Sequence, residues 1–259
     1  MKKILVGIIF LFVFAIGTAY ANDYLVYRSG GSQYSLEGAM TALGFSYDVF
    51  IPDGGTTKIT APQLASYKAL IIGWSAGGFD MSGLDPAVLT AGITGNKILT
   101  GHDADYHANI GNAAAATFMT RAVLFAGGSP GNPGILAFPV YTADPFSYLP
   151  ALWGISSFDN LTSENITAIT ADGAASGLYI GLSLASLSNW GQSFHAGFTA
   201  WDPMFNSFEI GSPPEGTNVT IGTTVTPIGG EVPEPATMIL IVSGLAGAGL
   251  YRRFRKPRG

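Results

Sequence analysis

The 259-residue chain contains no cysteine. That single absence excludes disulfides, thiolate metal ligands and cysteine nucleophiles together. Positive charge is also scarce, with 12 Lys and Arg against 17 Asp and Glu, and what there is sits at the ends. Lys2 and Lys3 open the chain, and Arg252, Arg253, Arg255, Lys256 and Arg258 close it. Between Asn22 and Val232 only Arg28, Lys58, Lys68, Lys97 and Arg121 face sixteen acids, a net charge of −11. Phosphate contacts need clustered Lys and Arg, so no nucleic-acid partner is expected. No G-x-G-x-x-G follows the first expected strand and there is no P-loop, so nucleotide binding has no motif behind it. No internal repeat is visible.

The long apolar runs are terminal. Lys2 and Lys3 precede Ile4 to Ala19, and Ala19-Tyr20-Ala21 fits the small-x-small cleavage pattern. Residues 1–21 thus read as a Sec-type signal peptide cut after Ala21, with the Sec export machinery as partner; an uncleaved anchor is the alternative. An exported body without disulfides must be held by burial alone, which a chain of about 200 residues can supply.

At the other end, Ala236 to Tyr251 has no charge over 16 residues. As a helix it would reach ~24 Å, at about 1.5 Å per residue. That is short of the roughly 30 Å hydrocarbon core. Gly244, Gly247 and Gly249 weaken it further as a helix. The cations that follow would stay cytoplasmic. The expectation is a short, transient transmembrane helix over 236–251. Residues 212–232 before it read as a linker or an edge strand, the β-branched alternation of Asn218 to Thr226 favouring the strand.

The order Pro233-Glu234-Pro235-Ala236-Thr237, an apolar run, then Arg252-Arg253-Phe254-Arg255 resembles the PEP-CTERM sorting segment. The resemblance covers residues 233–259. It implies cleavage by an exosortase in a Gram-negative bacterium that makes extracellular polysaccharide. It further implies a cell-surface or extracellular-matrix protein of the kind found in biofilms, with that polysaccharide as a candidate partner. A plain C-terminal anchor, never processed, is the other reading.

Residues 22–211 form the body. Strands are expected at "DYLVYRS", "SYDVFI", "YKALIIGWS", "NKILTGHD" and "GILAFPV", with helices at "SLEGAMTALGF", "LDPAVLTAGI" and "NAAAATFMTRAVLFAGG". Further strands are expected near "ENITAIT", "GLYIGL" and "SFHAGF". This alternation predicts an α/β three-layer sandwich with a mostly parallel central sheet. Ligands in such folds bind beyond the carboxyl ends of the strands. Three Gly-rich loops leave those ends: 29–33, 73–80 and 101–107. Asn160, Asn165 and Asn218 begin N-x-Thr sequons, read as surface polarity.

The body resembles the class I glutamine amidotransferase-like, flavodoxin-like fold over about residues 23–200. In that family a Gly-x-Cys-x-Gly turn carries the nucleophile. The matching turn here is Gly101-His102-Asp103-Ala104-Asp105, with Asp103 at the cysteine position. The family's late His-x-Glu matches His195, but Gly197 replaces the glutamate. The resemblance implies the fold and, with no cysteine, excludes amidotransferase chemistry. "LTGHDADYH" and "LSNWGQSFHAGFTAWDPMF" also resemble stretches of other exported PEP-CTERM proteins.

His102, His107 and His195 are the only histidines. The fold places all three at one end of the sheet, with Asp103 and Asp105 between the first two. These are ligand types for a divalent metal, Zn²⁺ or Ca²⁺. The same side chains suit a metal-free polar or carbohydrate pocket. They also suit a loop that only caps the following helix. His102, Asp103 and His195 are the candidate catalytic groups of an Asp/His or metal-dependent hydrolase, against a non-enzymatic binding or structural body. Trp74 ends a strand at the proposed floor. Trp153, Trp190 and Trp201 read as packing.

Overall fold

Apolar runs of four residues, bounded by turn residues, build the centre of the molecule. The computed structural model describes residues 22–28, 35–75, 79–140, 142–159, 165–212 and 214–223. The signal segment, the sorting segment and parts of the loops at 29–34 and 76–78 lie outside the described residues. The first half runs β1 (Tyr24–Tyr27), α1 (Ser35–Ala42), β2 (Tyr47–Phe50), α2 (Ala61–Leu64), β3 (Ala69–Ile72), α3 (Pro86–Gly92), β4 (Lys97–Thr100), α4 (Ala104–Asn109), α5 (Ala113–Ala126) and β5 (Gly134–Ala137). The second half runs through a 3₁₀ turn (Ala151–Trp153), β6 (Ser156–Asp159), β7 (Asn165–Ile169), α6 (Ala171–Ala175), α7 (Leu184–Leu187), β8 (Ala196–Ala200), β9 (Phe205–Ser212) and β10 (Thr217–Thr223).

β1, β3, β4 and β5 are buried at every position. Strands of continuous apolar character are what a sheet covered on both faces requires. Tyr24 and Val26 point to one side, where α1, α4 and α5 supply Leu36, Met40, Ala108, Phe118 and Val123. Leu25 and Tyr27 point to the other, against Leu64 of α2 and Leu89 of α3. Capping explains where two helices begin. Asp85 accepts from the Ala87 N–H ahead of α3. Asn112 accepts from both Ala114 and Ala115 at the start of α5. Gly44, at φ 77°, follows α1 and turns the chain toward β2.

The sheet has ten strands and is mixed, which corrects the mostly parallel expectation. β2-β1-β3-β5-β4 is a parallel block. β10 runs antiparallel to β4, and β8, β9, β6 and β7 extend the sheet with antiparallel pairs. The block order 2-1-3-5-4 also departs from the flavodoxin-like 2-1-3-4-5. β10 is not an edge strand. It lies inside the sheet, with β4 and β8 on one side and β9 on the other, and Val219 and Ile221 are fully buried. The segment "GLYIGL" is not a strand but a turn, because Gly177 and Gly181 take φ of 75° and 82°. Its Leu178 and Tyr179 anchor that turn in the core. Among the described residues no helix is long and apolar enough to cross a membrane, and the 236–251 segment lies outside them.

Candidate functional site

The carboxyl ends of β3 and β4 carry the polar residues of interest. β4 ends at Thr100, and the next three residues meet the segment that leads into β8. Gly101 donates its N–H to the Val219 carbonyl at 2.7 Å and accepts from the His195 N–H at 2.7 Å. His102 forms an antiparallel bridge with Phe194. A Cβ on Gly101 would fall 1.9 Å from the Ala196 carbonyl oxygen, so only glycine allows this approach. Asp103 then caps α4 by position, but its carboxylate makes no cap bond. It turns to two histidines instead.

Asp103 Oδ2 lies 3.1 Å from His195 Nε2 and 3.2 Å from His107 Nε2. His107 is one helical turn along α4, so i,i+4 geometry brings it back over Asp103. His107 Nε2 also lies 3.2 Å from the Gln192 carbonyl. The Trp74 indole, just past β3, stacks on the His195 ring at 5.3 Å and 27°. Its backbone N–H donates to Asp105 Oδ2 at 3.0 Å. Trp74 therefore touches both His195 and Asp105. Tyr106 completes the wall at 5.7 Å from Trp74 and is partly exposed.

The two aspartates are pushed in opposite directions. Burial works against ionised Asp103, but hydrogen bonds from His107 and His195 outweigh it and hold its pKa below the ordinary value. Asp105 is fully buried; desolvation, helped by the Asp103 charge, raises its pKa to about 7. Burial also raises Asp159, at the end of β6, against a smaller opposing effect of the His195 charge. Three atoms of this group are buried without a hydrogen-bond partner: Asp103 Oδ1, Asp105 Oδ1 and His195 Nδ1.

His102 belongs to a different environment. Its ring is fully buried, with Nδ1 on the Ser193 carbonyl and Nε2 2.8 Å from Glu209 Oε2. With both ring nitrogens engaged, it is separated from the Asp103, His107 and His195 group. Among the described residues no set of three or more His, Cys, Asp or Glu side chains could hold a metal ion. Glu209 was not anticipated from sequence. Its signal was an acid between Phe208 and Ile210 in a β-rich stretch, a charge at an inward strand position that must find a buried partner.

Residues 231–256 match the PEP-CTERM protein-sorting motif. No curated protein matches the chain. The motif implies exosortase-dependent sorting of an exported protein, with a cell-surface or extracellular location.

Proposed function

We propose that this protein is cleaved within its sorting segment, stays at the cell surface or in the surrounding polysaccharide matrix, and uses its body as a ligand-binding domain. The observation that carries the binding reading is the set of buried, unpartnered atoms on Asp103, Asp105 and His195 beside the Trp74 and Tyr106 rings. Buried polar atoms are normally satisfied, and clusters of exceptions mark places where something else makes the bond. An amidotransferase-like ancestry is supported by the parallel block and by Asp103 and His195 meeting at the expected positions. The strand order argues for a distant version of that fold, and without cysteine its chemistry is lost.

The test is a thermal scan of the mature exported protein after chelation, with Ca²⁺, Zn²⁺, Mg²⁺ and a panel of soluble oligosaccharides as separate probes. A probe that binds only the folded state at 100 times its dissociation constant adds about 2.7 kcal/mol. The expected result is a rise for one probe that is lost in His195→Ala. No rise for any probe would sink the binding reading. Processing is tested separately, by intact mass of the exported protein from hosts with and without exosortase. A full-length mature protein in the exosortase-positive host would refute it.

A hydrolase is the second reading, favoured by one geometric fact. His195 has Nε2 on Asp103 and Nδ1 without a partner, the arrangement of an imidazole oriented by a carboxylate to take a proton. Hydrolysis of a 4-nitrophenyl ester or glycoside, abolished in His195→Ala and retained after chelation, would support it. Equal rates in the two proteins would remove it.

A further inference from the structure

Beneath the Asp103–His195 pair lies a closed ring of hydrogen bonds whose proton directions can be worked out. The Thr220 hydroxyl donates to Glu209 Oε2 at 2.8 Å, which uses its only proton. Thr220 must therefore accept from Thr100 across their 2.9 Å contact. The Thr100 oxygen in turn accepts from the His102 backbone N–H at 3.2 Å. The His102 ring returns to Glu209 through Nε2. The Tyr179 hydroxyl also donates to Glu209 Oε2, at 3.1 Å. An oxygen that collects two hydroxyl donors beside an imidazole nitrogen has the acceptor capacity of a carboxylate oxygen. His102 Nδ1 faces a carbonyl, which can only accept, so Nδ1 carries a proton. One proton is then shared across the 2.8 Å contact between Nε2 and Glu209 Oε2, and the raised pKa of His102 favours placing it on the ring.

This ring reaches the candidate site through the backbone. His102 holds the Ser193 carbonyl, and Gly101 holds the His195 N–H, two residues further on. Asp103 follows directly. Residues 101–103 and 193–195 thus lie in fixed antiparallel register, and the register sets where the His195 ring meets the Asp103 carboxylate. We propose that His102 and Glu209 are positioning residues for the Asp103–His195 pair, acting through the Ser193 carbonyl. This inference rests on the reading of that pair as the binding or acid–base site.

The groups facing His102 are Glu209 from β9, Asp103 from the head of α4, and the rings of Phe118 from α5 and Trp190. Tyr179 faces Glu209 from the turn after α6. Burial alone would discharge His102. The Glu209 charge and hydrogen bond, the Ser193 carbonyl and the Asp103 charge outweigh it and raise its pKa above the ordinary 6.5. The ring therefore stays closed to higher pH than an ordinary imidazole would allow, and opens as pH rises through the raised value.

The experiment is long-range ¹H–¹⁵N NMR of the three histidines in the mature exported protein, followed from about pH 5 to about pH 9, for wild type, Glu209→Gln and Thr220→Val. In wild type, His102 should remain doubly protonated at neutral pH, and His195 should hold the tautomer with the proton on Nε2. In Glu209→Gln, His102 should turn neutral at the same pH, and His195 should lose its single tautomer. Thr220→Val should show the same changes to a smaller extent. If Glu209→Gln fails to fold, Thr220→Val decides. A folded variant in which His102 is discharged while the His195 tautomer and pH profile superimpose on wild type would overturn the positioning role. Wild-type His195 in the opposite tautomer would instead overturn the reading of the pair itself.

Discussion

Replacing Gly101 by alanine tests the geometry of the site without touching a titratable group. The new Cβ would sit 1.9 Å from the Ala196 oxygen, 2.8 Å from its carbonyl carbon and 3.3 Å from its Cα. Ordinary contact begins near 3.4 Å, so the strands must separate by about 1.5 Å. The obstacle is backbone, not a side chain that can rotate away. Separation at this point stretches the bond from His195 N–H to Gly101 and threatens the one from Gly101 N–H to Val219, both 2.7 Å. Overpacking costs about 1–3 kcal/mol, and each buried backbone bond lost costs about 1–3 kcal/mol more. Partial relaxation makes the sum sub-additive, and a loss of about 3–5 kcal/mol is expected. That is a large share of the roughly 5–15 kcal/mol that holds a domain together. Urea unfolding followed by circular dichroism at neutral pH measures it, and the His195 NMR signals should shift in the folded variant. A Gly101→Ala protein within about 0.5 kcal/mol of wild type, the scatter of harmless substitutions, would refute the close approach of residues 101 and 196.

Asn112→Ala removes the side chain that accepts from two N–H groups at the head of α5, and should cost about 1 kcal/mol in the same assay. Asp105 holds its proton in the fold up to about 7 against an ordinary 3.8. Its contribution to stability is therefore full below 3.8 and declines as pH rises toward 7. At about 1.4 kcal/mol per pH unit the loss is roughly 4 kcal/mol. Asp105→Asn should thus gain stability over wild type at about pH 8 and show no gain at about pH 4, and equal gains at both would contradict the assignment. Asp103 has the opposite sign: its lowered pKa contributes stability above the ordinary 3.8 that is lost as pH falls through the folded value. Asp103→Asn should accordingly be less stable than wild type at neutral pH and approach it in acid. Phe208→Ala should cost about 3–5 kcal/mol, because Phe208 is fully buried and meets Phe125 of α5 edge-on at 5.9 Å. A single unfolding transition is expected in that variant, since the core on each face of the sheet joins parallel and antiparallel strands.

Local pattern predicted the first half of the chain better than the second. β1 to β5, α1, α3 and α5 each carry their own signal: an apolar run, a helical repeat, a capping Asp or Asn. α4 carried none, because its six residues are polar and small. Asp103, Asp105 and His107 find buried partners at Trp74, just past β3, and at residues 192–195, which the sequence alone does not display. The "GLYIGL" segment misled in the opposite way. Its apolar content suggested a strand, but two glycines with positive φ decide the backbone path. The mixed sheet depends on β10 returning to pair with β4, a contact between residues 120 positions apart that leaves no local trace. At the site, the sequence placed Asp103 and His195 at the same end of the sheet, and the structure brings their side chains to 3.1 Å. The removal of His102 into a separate network was not legible, because it depends on Glu209, which comes 107 positions later.

The placement of β10 bears on the order of events during export. The last described strand of the body is also the one that joins its two halves. The sheet cannot close until the chain through Thr223 is free to pair. The sorting motif begins at residue 231, with only seven residues between it and Thr223. Fully extended, seven residues reach about 25 Å. The motif that implies sorting therefore follows closely, along the chain, the strand that joins the two halves of the body. Lengthening this tether should speed processing, and a slow-folding β10 variant should delay release without any change in the motif.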